Sequence, residues 1–195
     1  MAMRLPAVER REQLLSVALK AFAHHGYHGS SMNDVADAAG ITKPVLYQHF
    51  ASKRELFLAT IDEAGQRMIS AITTQATTDT DGRRRTEVGF RAYFRWVADD
   101  HEAFMLLFGS GLRRDPEFAE AVGQFTSKVA DAIEPLITAD IDSSHRRTLA
   151  YAIVGMTEAI SRRLVEDGES FDPDFVARQV SDLAWAGLRA VQRPR

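Results

Sequence analysis

Between Asp37 and Glu55 the chain carries no acidic residue, and within that window stand Lys43, Tyr47, Gln48, His49, Ser52 and Lys53. These are hydrogen-bond donors with no carboxylate among them, the chemistry that closely spaced phosphates tolerate. A glutamine amide can bond an adenine edge in a bidentate way, and a lysine prefers guanine O6 and N7. Other constellations are thinner. His24, His25 and His28 invite a metal reading, but Gly26 ends a helix between them and no carboxylate supports them. Asp142 and His145 have ligand-like spacing at a helix start, where Asp142 or Ser143 as a cap is the simpler account. Asp99, Asp100, His101 and Glu102 are the one cluster a helical-bundle enzyme would use, and they crowd a helix junction where caps explain them. No Gly-x-Ser-x-Gly elbow, glycine-rich phosphate loop, His-Glu-x-x-His or repeated Glu-x-x-His occurs. With zero cysteines, thiol catalysis and Cys-ligated metals are excluded. The expectation is a protein that is not an enzyme and uses no cofactor or metal.

The donors must be carried by helices, because no segment alternates apolar and polar residues as a half-buried strand does. A first helix from about Ala7 to His25 gathers Leu15, Ala18, Leu19 and Phe22 on one face, and Gly26 stands where a left-handed residue would stop it. Ser31 and Asp34 form an N-cap pair for a short helix. Gly40 breaks that helix, and Thr42 caps another in which Pro44 is tolerated in the first turn. Leu46 and Phe50 lie i, i+4 on its inner face. Ser52 and Glu55 make a capping box for a long helix through Phe57, Ile61, Ala64, Met68 and Ile72. Two short helices around a glycine turn predict a helix-turn-helix, whose second helix enters the DNA major groove. The free N–H groups at the start of the long helix, beside Ser52 and Lys53, suit a phosphate.

Residues 73–86 are polar and read as a linker containing Arg83, Arg84 and Arg85, for which a solvated role is simpler than reaching DNA. Beyond it the pattern predicts amphipathic helices at 87–99, 101–109, 116–138, 143–167 and 173–191, punctuated by Gly109, Gly111, Asp115, Pro116, Gly168 and Pro173. The expected division is a DNA-binding domain over 1–55, a connecting helix 56–72, and a helical effector-binding and dimerisation domain over 73–195.

The chain's 195 residues are 45% hydrophobic and 26% charged, an ordinary globular composition. Nothing resembles a membrane span or a secretory h-region, so the cytoplasm is the expected location. Net charge is −3, which argues against nucleic acid on its face. Residues 1–60 nevertheless balance at +2 and the remainder at −5. That asymmetry permits a DNA-facing N-terminal end.

The run Ser31-Met-Asn-Asp-Val-Ala-Asp-Ala-Ala-Gly-Ile-Thr-Lys-Pro-Val-Leu-Tyr-Gln-His-Phe-Ala-Ser-Lys-Arg-Glu-Leu56 resembles the DNA-binding signature of the tetracycline-repressor (TetR) family, and Ala21-Phe22 with Gly26-Tyr27 matches its first helix. The resemblance covers about residues 8–60. It implies an all-α regulator, a repressor that binds a palindromic double-stranded operator as a homodimer and responds to a small molecule. It also implies that Thr42, Tyr47, His49 and Lys53 contact phosphates, that Lys43, Pro44 and Gln48 face bases, and that Ser31 is a further phosphate candidate. Only two lysines fall in the motif, so affinity should depend on dimerisation.

Residues 90–108 are rich in large apolar groups. Core packing explains such a stripe first, but Phe90, Phe94, Phe104, Met105 and Phe108, with Phe125 and Met156, would also suit a pocket for an apolar or aromatic effector. Leu149–Met156 and Leu183–Leu188 are unbroken apolar or small residues, and a helix without a polar face must be covered on both sides. Ala152, Gly155 and Ala159 form a small-residue stripe that, with Leu183, Trp185 and Leu188, predicts a two-fold four-helix interface. Two other function classes stay open: an effector-independent dimeric DNA-binding protein and a helical-bundle enzyme.

Overall fold

The computed structural model describes residues 6–77, 81–109, 117–166, 168 and 170–191. Among them every regular element is helical: α1 (Ala7–Gly29), α2 (Met32–Ala38), α3 (Lys43–His49), α4 (Lys53–Ala76), α5 (Gly82–Asp99), α6 (His101–Phe108), α7 (Ala119–Ile133), α8 (Ser143–Glu166) and α9 (Pro173–Ala190). A 3-10 turn at Glu134–Leu136 follows α7, so the helix expected to reach residue 138 ends early, at Ile133, two residues before Pro135, whose ring cannot continue an α-helix. Gly111, Asp115 and Pro116 lie outside the described residues.

Two compact units emerge. One takes its described residues from Met1–Ala64 and Glu102–Ala119, the other from Gly65–His101 and Glu120–Arg195. α6 therefore packs with the N-terminal helices, whereas its position in sequence suggested the C-terminal domain. Its apolar periodicity marks a buried face, but periodicity does not say which core that face enters.

In the first unit, α1 buries Leu14, Leu15, Ala18, Leu19 and Phe22. Gly26 interrupts it at φ 69°, the left-handed region open to glycine, and Tyr27–Gly29 add a last turn. Buried Ser30 mends the break, its hydroxyl lying 2.8 Å from Gly26 O and 3.1 Å from Ala21 O. Phe22, Tyr27, Phe57 and Phe118 form an aromatic cluster with centroids 4.6–4.9 Å apart for Phe57–Phe118, Tyr27–Phe118, Tyr27–Phe57 and Phe22–Phe57. Edge-to-face pairs of this kind add to plain burial. On α6, Glu102 reaches His24 of α1 at 3.1 Å.

The second unit corrects the expected linker. Residues 73–76 continue α4 and residues 82–86 open α5. The Thr73 hydroxyl donates to Ile69 O at 2.9 Å, Ala76 is fully buried, and the Asp81 carboxylate accepts the Arg84 N–H at 2.8 Å as an N-cap. Polar side chains here serve helix ends rather than a loop. Arg83, read as linker, lies on α5 and faces Asp182 at 3.4 Å. α5 packs along α9, and a bidentate pair, Arg95 Nε to Asp174 Oδ1 at 2.8 Å and Nη2 to Oδ2 at 2.7 Å, ties them. Ala130, Ile137 and Ala150 are the buried heart of a further cluster that Ile133, Leu149, Ile153 and Leu188 cover. Asp142 accepts the His145 N–H at 2.8 Å, the capping role its spacing allowed.

Candidate nucleic-acid interface

Local chemistry builds the helix-turn-helix. The Asp34 N–H donates to Ser31 Oγ at 3.2 Å while the Ser31 N–H donates to Asp34 Oδ2 at 2.8 Å, a reciprocal capping box. The hydrogen bonds from Ser31 hold the Asp34 carboxyl below its ordinary range. α2 ends in a Schellman turn: Gly40 N–H donates to Asp37 O at 3.1 Å and Ile41 N–H to Ala36 O at 3.0 Å, with Gly40 at φ 66°. A Cβ on Gly40 would meet nothing within 4 Å, so conformation and not crowding calls for glycine there. Thr42 takes the N-cap position of α3 without a side-chain cap bond, contrary to expectation, because Pro44 has removed one of the N–H groups it would serve. The Ser52–Glu55 box is also altered: Ser52 Oγ accepts the Glu55 N–H at 3.1 Å, but the Glu55 carboxylate accepts from Ala51 N–H at 2.7 Å.

α3 is anchored from below by Leu46 and by Phe50 just past its end, both 0% exposed. That anchoring turns Lys43, Pro44, Tyr47 and Gln48 outward, with Thr42 exposed at its start and His49 half-buried. Tyr47 is 43% exposed, and the Lys43 ammonium lies 6.0 Å from its ring centroid. α3 has no acidic residue. Ser31 is exposed, although its hydroxyl is engaged with α2.

Lys53 is used differently from the rest. Its Nζ donates to Tyr27 O at 2.9 Å and Ser30 O at 3.0 Å and lies 4.2 Å from the Tyr27 ring centroid. The ammonium thus closes the carbonyl end of α1, where the helix dipole favours a cation. Two of its three N–H donors are spent inside the fold.

Thr42, Val45, Gln48 and His49 share an open groove of about 1030 Å³ with Ala7, Arg10, Asp37, Gly40 and Ile41. Arg10 escaped the sequence reading because nothing in local spacing links the first turn of α1 to α3.

The residues considered for an effector divide between the units. Phe104 and Phe108 are buried in the first, where Met105 is 38% exposed. Phe90, Phe94 and Phe125 are buried in the second, where Met156 is half-buried. Phe125 packs over Gly65 so closely that a Cβ there would sit 2.7 Å from its ring. Of the residues considered for dimerisation, Ala152, Gly155 and Ala159 are exposed on α8 and Leu183 is 65% exposed on α9. Trp185 and Leu188 are half-buried within the protomer, Trp185 against Gly82 and Leu188 against the Ala130 cluster. Among the described residues no group of three His, Asp or Glu is placed to hold a metal, and no helix is long and apolar enough to cross a membrane.

Comparison with known proteins agrees with this geometry. Residues 14–60 match the model for bacterial regulatory proteins of the tetR family, and residues 82–187 match the tetracyclin repressor-like C-terminal domain. The HTH-type transcriptional activator FasR of Mycolicibacterium smegmatis is 34% identical over 98% of this chain and 89% of its own length. The HTH-type transcriptional repressor AcnR of Corynebacterium efficiens is 27% identical over 72% of this chain and 71% of its own. A TetR-like transcriptional regulator from Rhodococcus sp. RHA1 superposes with a TM-score of 0.77 at 28% identity, covering 96% of this chain and all of that one. With both of its halves matched and its α3 face free of acid and turned to solvent, the chain belongs to the TetR family of DNA-binding transcriptional regulators.

Proposed function

We propose that the protein binds a palindromic operator as a homodimer, placing one α3 in each of two successive major grooves, about 34–36 Å apart on B-DNA. The observation that carries this is the outward face of α3, where Lys43, Tyr47 and Gln48 are exposed over the fully buried Leu46. Lys43, Pro44 and Gln48 read bases, while Thr42, Tyr47, His49, Ser31 and the remaining donor of Lys53 meet phosphates. We assign dimerisation to α8 and α9, because Ala152, Gly155, Ala159 and Leu183 leave a small and apolar face uncovered in the protomer. An apolar or aromatic effector binding within residues 73–195 shifts the population toward dimers whose recognition helices are misspaced, so the operator is released and repression ends.

The test is selection of duplexes from a random pool, followed by titration of wild type and Gln48→Ala. The variant should bind the selected duplex more weakly and discriminate less at one base position, by about 1–3 kcal/mol. Unchanged affinity and preference would remove Gln48 from the base-reading set. A second reading, activation by the bound dimer, is favoured by the near-complete match to a relative named as an activator. A reporter carrying the selected operator gives opposite signs for the two.

A further inference from the structure

We infer that Arg10 of α1 is a phosphate anchor of the operator complex, positioned by Gln13 and lying outside the helix-turn-helix. The inference rests on the reading that α3 enters the major groove. Arg10 is in the first turn of α1, yet it lines the same groove as Thr42, Gln48 and His49. A duplex seated against α3 therefore carries its backbone past this side chain.

The cations of the first unit differ in what holds them. Lys53 is bonded to backbone carbonyls, Arg54 faces Glu117 at 3.3 Å, and the Arg11 guanidinium lies 4.7 Å from the Phe50 ring centroid. Arg10 is held by an amide: its Nη1 donates to Gln13 Oε1 at 2.5 Å, and among the described residues no carboxylate pairs with it. A neutral oxygen orients a guanidinium without cancelling its charge, and most of the fork's donors remain unspent. Arg10 is also half-buried, which limits the freedom it loses on binding.

Asp37 lines the groove as well. One cation and one anion there give little net pull on a free anion. Arg10 thus engages a phosphate once α3 has set the duplex in place, and its contribution is to register rather than capture.

The experiment titrates full-length wild type, Arg10→Gln, Arg10→Lys and Gln13→Ala with the selected duplex and with a mixed-sequence duplex of equal length, at several salt concentrations. Melting temperature is measured alongside. Arg10→Gln should bind both duplexes about 5–10-fold more weakly, with a log K against log salt slope shallower by about 0.9 per protomer and an unchanged melting temperature. Arg10→Lys should keep the slope and lose part of the affinity. Gln13→Ala should keep the slope and lose about 2–3-fold, as expected of a residue that only orients the charge. Wild-type affinity and slope in Arg10→Gln overturn the inference, and so does a loss of affinity with the slope unchanged. If wild type binds no selected duplex, the major-groove reading itself falls, and this inference with it.

Discussion

Replacing Lys53 by alanine should cost stability before it costs DNA binding. The change deletes two charged hydrogen bonds, to Tyr27 O and Ser30 O, and a cation held over the Tyr27 ring. Hydrogen bonds to charged groups are worth about 1.5–3 kcal/mol each when buried, and the half-buried position of Lys53 brings each to about 1 kcal/mol. The ring contact adds about 0.5–1 kcal/mol. The total is about 2–3 kcal/mol, and at about 2–4 °C per kcal/mol for a chain of this size the melting temperature should fall by about 5–10 °C. Lys53→Met, which keeps the stem over Tyr27, should recover only the small apolar part of that loss. Differential scanning calorimetry reads both variants, and a salt titration of operator binding gives the second axis. With its ammonium committed to the end of α1, the salt slope should change by less than about half of the ~0.9 per protomer that a full phosphate contact supplies. A melting temperature within about 1 °C of wild type, together with a slope shallower by about 0.9 per protomer, would refute the argument, since it would mean that the ammonium is spent on DNA and not on α1.

Gly65→Ala gains about 1 kcal/mol of helix propensity, but its Cβ would sit 2.7 and 2.9 Å from Phe125 ring atoms. A net destabilisation of about 1–2 kcal/mol in denaturant unfolding is expected, relieved by pairing it with Phe125→Leu. A Cβ on Gly155 would meet no atom within 4 Å in the protomer, so Gly155→Leu should leave melting of the isolated chain little changed, while sedimentation should shift from dimer toward monomer. An unshifted dimer would place the interface elsewhere. Asp34 has a folded-state pKa below its ordinary 3.8, so the stability from its capping box is present above that value and lost as pH falls through the lower folded-state value. Asp34→Asn should accordingly show a flatter acid-unfolding profile, converging with wild type at the lowest pH.

Elements whose signals are local were legible in the sequence. Ser31 with Asp34, the left-handed Gly26 and Gly40, and the Leu46–Phe50 pair place α1 to α3 to within a few residues, because caps and turns act over three to five positions. The threonine run at 73–77 misled for a related reason. A hydroxyl that bonds back to a carbonyl one turn earlier looks, in composition, like loop chemistry. Lys53 and Arg10 were beyond reach, since their surroundings depend on contacts distant in sequence: Lys53 with the end of α1, and Arg10 with α3 across a groove. The grouping of α6 with the first unit was hidden likewise, as Phe104 and Leu107 would read the same in either core.

The way α3 is fastened has a bearing on how such a regulator diverges. Its grip on the fold passes through Leu46 and Phe50, while Lys43, Pro44 and Gln48 face solvent. Surface positions of that kind usually change stability by less than about 0.5 kcal/mol. With the base-reading role proposed for these positions, operator preference can therefore drift after a gene duplication without crossing the folding threshold. Lys53 is the contrasting case, tied by its ammonium to the end of α1. Two copies in one cell could become deaf to each other's operators by changes on α3 alone, each keeping the scaffold it inherited.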